Sequence, residues 1–163
     1  MSVLSDIRNA LVALRPAPPP CFTVVIGVVA GGAGYAVEVL PNASKRLRIK
    51  EVFFSKPSVQ VTMRLIKASQ RSAGGTSTDG VIVSMSSRDG VSAQVKLFTG
   101  APTAGTAIGD AFSMVVAATD NVDVTYGQHG EKPMEIRGAE AFAVNVSGAA
   151  TIAGFIRFEE VPD

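Results

Sequence analysis

Few residues in this chain could do chemistry, and their spacing argues against each in turn. His129 is the only histidine, set in Tyr126-Gly127-Gln128-His129-Gly130-Glu131, a turn composition. It has no second histidine to share a metal with, and no serine and aspartate arranged around it, so an exposed loop histidine is expected. Cys21 is the only cysteine. That excludes an intrachain disulfide, and within its apolar run the residue reads as a small buried hydrophobe. Asp120-Asn121-Val122-Asp123 offers hard oxygens, but Asp-Asn is a common turn and the glycine and late glutamate of a calcium loop are missing. Gly74-Gly75-Thr76-Ser77-Thr78 lacks the lysine of a phosphate loop and reads as an exposed loop. The acids Glu159-Glu160 and Glu135/Glu140 would serve a glycosidase only if the fold set two carboxylates across a cleft. No catalytic residue, cofactor or metal is therefore expected.

Charge points to surfaces instead. Residues 1–72 carry ten Lys/Arg against three acids, a net of +7, and residues 73–163 carry five against eleven, a net of −6. If the halves form separate surfaces, such a dipolar subunit could join its neighbours through complementary patches. If the strands of the two halves interleave, the charges mix. Arg46, Arg48, Lys50 and Arg64 could form a basic stripe on adjacent strands. Nucleic-acid binding would want interleaved aromatics or a larger positive excess, so a partner's acidic surface or plain solvent explains the stripe as well. Arg46, Arg48 and Lys50 are accordingly candidate interface residues.

These side chains must be held by a scaffold, and the chain is long enough to supply one. Its 163 residues suit a single domain with its own core. With 47% apolar and 18% charged residues, the composition is not that of a disordered chain. Period-2 alternation governs most of it. Strand-like segments fall near 22–30, 35–40, 46–54, 59–67, 81–85, 93–98, 112–118, 122–126, 134–136, 142–146 and 151–159, and roughly nine or ten short strands are expected from them. Within 46–54 the apolar face switches from Leu47 and Ile49 to Val52 and Phe54, which predicts a bulge near Glu51 or burial on both faces. The expected class is all-β, a two-sheet antiparallel sandwich, with a jelly roll as the preferred topology.

The N-terminus differs. Leu4, Ile7, Leu11 and Leu14 fall at helical spacing, and Pro16 with Pro18-Pro19-Pro20 ends any helix in a stiff extended stretch. The expected organisation is a helix and proline arm over 1–20 and a β-sandwich domain over 21–163. The arm's apolar stripe, Leu4, Ile7, Leu11 and Leu14, must dock on the body of the domain or on another subunit. The uncharged run 21–37 is interrupted by glycines and preceded by prolines, so it reads as a buried strand and glycine loop rather than a membrane span or signal peptide.

Several segments share a further likeness. Residues 41–55, Pro-Asn-Ala-Ser-Lys-Arg-Leu-Arg-Ile-Lys-Glu-Val-Phe-Phe-Ser, resemble the opening of small β-sandwich virion proteins of tailed bacteriophages. Leu65-Ile66-Lys67 followed by the Gly74-Gly75 loop is similar to a second such element. Val95-Lys96-Leu97-Phe98-Thr99 with Pro102-Thr103-Ala104-Gly105-Thr106 is similar to a third. Residues 136–146, Ile-Arg-Gly-Ala-Glu-Ala-Phe-Ala-Val-Asn-Val, resemble the group's closing strands. The likeness spans roughly 41–159. It implies a non-enzymatic virion component displayed on the head, without fixing whether it decorates the capsid, builds a fibre or sits in the tail. The leading expectation is a decoration (cement) protein on the outer surface of the capsid that forms a homotrimer. Its partners would be the major capsid protein or other virion proteins, with no nucleic acid, membrane or cofactor. The competing expectation is a head-fibre or tail receptor-binding module that recognises host surface glycans, although two tyrosines and no tryptophan supply little for a sugar platform.

Overall fold

The computed structural model describes residues 19–31, 34–85, 90–127 and 132–163. The expected N-terminal helix, with Leu4, Ile7, Leu11 and Leu14, and the His129 loop lie outside the described residues. Alternating sequence becomes strand throughout: β1 (Cys21–Gly31), β2 (Gly34–Leu40), β3 (Lys45–Phe54), β4 (Val61–Ala68), β5 (Ser77–Asp79) and β6 (Val81–Ser84), then β7 (Gln94–Phe98), β8 (Ala107–Val116), β9 (Val122–Thr125), β10 (Met134–Arg137), β11 (Ala141–Val146) and β12 (Ala150–Pro162). The described residues thus hold twelve strands, more than the sequence suggests, and no helix. Strand β5 was the least visible, because Ser77, Thr78 and Asp79 are all exposed and carry no apolar face. The uncharged run 21–37 forms β1 and the start of β2. Among the described residues no helix is long and apolar enough to cross a membrane.

The strands form two antiparallel sheets packed together. The first has the order β10-β3-β12-β1-β6, with β9 also paired to β3, and the second has the order β5-β7-β2-β11-β4-β8. Inward side chains of both make one core: Phe22, Val24, Leu47, Ile49, Phe54, Ile156 and Phe158 from the first sheet meet Val37, Met63, Leu65, Phe142 and Val144 from the second. Burial of these side chains, at roughly 1.5–3 kcal/mol each, is what makes the two sheets adhere. Phe22 and Phe158 lie 5.6 Å apart, centroid to centroid, at its centre.

The phase switch in β3 is a bulge. Arg157 pairs with Glu51 and Phe158 with Ile49, leaving Lys50 as the extra residue, so Leu47, Ile49, Val52 and Phe54 all reach the core. Other expectations need correction. Val59 does not join the inward face of its strand but is 48% exposed, because β4 starts only at Val61. Strand β8 begins at Ala107, five residues before its apolar run at Phe112. Cys21 is half-buried rather than buried, since it sits on the outward side of β1 beside inward-facing Phe22.

The two sheets differ on their outer faces. That of the second sheet is sealed by segments 69–76 and 99–106, which bond to each other through Ser69 N–H to Thr106 O (2.8 Å), paired Ala73–Thr103 bonds (2.9 and 2.8 Å) and Thr99 N–H to Thr76 O (2.9 Å). Beneath them Tyr35, Ile66, Phe98 and Ala143 form a second apolar cluster, and the Tyr35 hydroxyl donates to Gly105 O at 3.2 Å. Gly105 is required there: a Cβ would stand 2.0 Å from Gln70 O. The outer face of the first sheet has no such cover among the described residues, and it holds the candidate surface.

Candidate interaction surfaces

Strand β3 presents Arg46, Arg48 and Lys50 outward, between β10 and β12. Across from them β10 places Glu135, whose carboxylate accepts from Arg48 Nε (2.9 Å), Arg46 Nη1 (3.4 Å) and Arg137 Nη2 (2.5 Å). The Arg137 bond, followed by that of Arg48, holds the Glu135 carboxyl down at about 2. Lys50 pairs with Glu159 at 3.5 Å, and Arg157 with Glu51 at 2.5 Å. Strands from the two halves of the sequence therefore alternate across this sheet, and their charges mix in space. The candidate residues Arg46, Arg48 and Lys50 do share one face, but each is already paired within the chain. Arg64 does not join them: it lies on β4, in the other sheet, because the chain crosses between sheets after β3.

Beside this ionic belt the same face turns apolar. Phe53 and Phe155 stack at 5.4 Å, and the Arg157 guanidinium lies 5.4 Å from the Phe155 ring. The register continues this row from Phe155 to Val25 and on to Val81. Val25, Val81, Val83 and Met85 are all strongly exposed, Val81 at 64%. Sequence alternation does show these residues, but not that their side faces away from the core.

The acids read as possible chemistry are spoken for. Glu159 and Glu160 are adjacent on β12 and so point to opposite faces. Glu160 is 2% exposed and accepts from Ser92 N–H (3.0 Å), Ser92 O–H (2.9 Å) and Ala93 N–H (2.6 Å). Glu38, 1% exposed on β2, takes the N–H and O–H of Ser72 in the same way, at 2.9 and 2.8 Å. These two carboxylates anchor the segment before β7 and the segment covering the second sheet. Sequence reasoning missed Glu38, whose only signal is a lone glutamate inside an apolar strand, and weighed Glu160 with Glu159 for chemistry rather than as an anchor. Glu140 pairs with Lys67 at 2.8 Å and accepts from Arg137 N–H at 2.8 Å, closing the turn before β11.

The remaining candidates separate. Asp120 lies in a turn closed onto Ala117 O, whereas Asp123 is on β9 opposite Phe53. Among the described residues no three His, Cys, Asp or Glu gather as a metal site. Burial, with Glu159 adding, pushes the Cys21 thiol up, which leaves it a poor nucleophile at neutral pH. A depression of about 680 Å³, lined by Lys67, Lys132, Glu135, Arg137 and Glu140 among others, is an extension of the ionic belt. Compared with known proteins, the chain matches no family, no curated protein and no solved structure.

Proposed function

We propose that this protein is a non-enzymatic structural component of a tailed-phage particle, a capsid decoration protein that binds the assembled head and stabilises it. The observation that carries the reading is strand order. With β5–β7 taken as an insertion, the remaining strands run β1-β12-β3-β9/β10 in one sheet and β2-β11-β4-β8 in the other. That is the connectivity of a double Greek-key jelly roll, an architecture of viral capsid proteins. A fold does not specify a function by itself. The reading therefore leans equally on the likeness of residues 41–159 to virion proteins, and it takes the protein as a homotrimer meeting the major capsid protein or other virion proteins.

The uncovered outer face of the first sheet, with its apolar row from Phe53 to Val81, is the surface offered to the particle. The N-terminal segment, through Leu4, Ile7, Leu11 and Leu14, would reach a neighbouring subunit. A glycan-binding module is less favoured, since Tyr35 is buried under the second sheet's cover and Tyr126 is half-buried. Imaging of particles assembled with and without the protein tests the proposal. The expected result is added density on the outer capsid surface and heads that survive higher temperature. Density confined to the tail, or binding of the isolated protein to host cells, would overturn it.

A further inference from the structure

We infer that β8 is a self-pairing edge, through which two copies of this chain join their second sheets into one antiparallel sheet. This rests on the fold and not on the virion reading. Strand β8 is ten residues long and, among the described residues, pairs only with β4, so no described strand takes up the backbone donors and acceptors of its other side. The other sheet ends are short: β5 has three residues and β6, β9 and β10 four each. On the β5/β6 side the chain turns at Gly80 from one sheet to the other, with Gly80 N–H bonded to Val95 O at 2.9 Å, which closes that flank.

Proteins usually guard a long edge with lysine, proline or inward charge. Strand β8, Ala-Ile-Gly-Asp-Ala-Phe-Ser-Met-Val-Val, has no basic residue and no proline, and one acid. Its register against β4 shifts twice in the first half, while residues 112–116 pair regularly. That regular half carries Met114 and Val115. Val115 is outward and 57% exposed. Met114 lies opposite core residue Met63, yet it is 38% exposed, so the sandwich is open along this lip.

An edge with these properties is complementary to itself. A two-fold axis within 112–116 sets two copies antiparallel, gives each free N–H a C=O of the copy, and closes both lips with Met114 against Met114. No charge of 112–116 is brought together, because the segment has none. The seam is short, about 17 Å for five residues. It falls well below the ~1,200 Å² of a standard interface. The pairing is accordingly concentration dependent in solution, and strengthened wherever copies are held side by side on a common support. It predicts a two-fold contact where the proposed decoration role takes a three-fold one.

Sedimentation of the full chain across the micromolar range, with Val115→Lys and a Val81→Lys control on β6, tests this. Wild type and Val81→Lys should dimerise with rising concentration, and Val115→Lys should weaken dimerisation at least about tenfold. A second measurement does not depend on that variant's folding. In a Cys21→Ser background, Met114→Cys should form an intermolecular disulfide much faster than Val81→Cys. A wild type that stays monomeric, or a trimer unaffected by Val115→Lys, overturns the inference, the first leaving the edge to a strand of another protein. Equal cross-linking rates at positions 114 and 81 overturn it as well.

Discussion

Removing the Glu160 carboxylate by Glu160→Ala should be among the most damaging single changes in this protein. Three donors converge on it, and they differ in their access to water. The Ala93 N–H, at 2.6 Å, belongs to a residue only 7% exposed, so it loses its acceptor outright, at about 2 kcal/mol. Ser92 is half-buried, and its N–H and O–H can recover part of their hydration, about 0.5 kcal/mol lost for each. One buried methylene, Cγ, is also lost, about 0.8 kcal/mol. The expected destabilisation is therefore about 4 kcal/mol, or a melting temperature lower by roughly 8–16 °C for a chain of this size. Glu160→Gln keeps the methylenes and one carbonyl acceptor, so it should cost about 1–2 kcal/mol. Thermal unfolding followed by circular dichroism gives the order, and amide hydrogen exchange locates it, because the Ala93 amide should be the one that speeds up most. If Glu160→Ala melted within about 1 kcal/mol of wild type, or left Ala93 exchange unchanged, the anchoring role of this carboxylate would be wrong.

Other perturbations follow from the same geometry. Gly154→Ala would push a Cβ to 2.0 Å from Phe53 O in the middle of the first sheet, and should cost about 2–4 kcal/mol in urea unfolding. Gly105→Ala should instead loosen the cover of the second sheet locally, read as faster exchange at Ala73 and Thr103 with a smaller loss of global stability. Glu135, held at about 2 by Arg137 first and Arg48 next, has a depressed value. Its contribution is complete above the ordinary carboxyl value of 4.5 and is lost as pH falls toward 2, so Glu135→Gln should flatten the acid limb of stability in that window. Burial pushes the Tyr126 hydroxyl up to about 12, so in an absorbance titration this phenol should ionise well above 10. The stability it contributes is present below 10 and lost as pH rises through 12. Among the described residues its buried oxygen has no hydrogen-bond partner, so Tyr126→Phe should be neutral or stabilising by up to about 1 kcal/mol.

Local periodicity marked most of the strands but not β5, which is exposed along its length. Alternation marked β3, β7 and β9 because each buries mainly one face, whereas β2 and β11 are buried on both, and the switch inside 46–54 signalled the bulge that structure places at Lys50. The class followed, since many short alternating strands can bury their faces only against one another. Sequence also found that Arg46, Arg48 and Lys50 share a face, which period 2 alone requires. Its limit was partnership. Whether those cations meet solvent, a partner or an acid depends on which strands lie beside β3, and those are β10 and β12, whose Glu135 and Arg157 stand 87 and 106 residues from their β3 partners Arg48 and Glu51. The same long-range pairing removed Arg64 from the stripe and mixed the +7 and −6 halves. Only tertiary structure could decide that Glu38 and Glu160 are anchors, because their donors come from loops that the sheets carry to them. It alone decided that, among the described residues, one sheet is covered, the other bare, and one long edge open. Alternation tells which side chains share a face, but cover and pairing are set by segments distant in sequence.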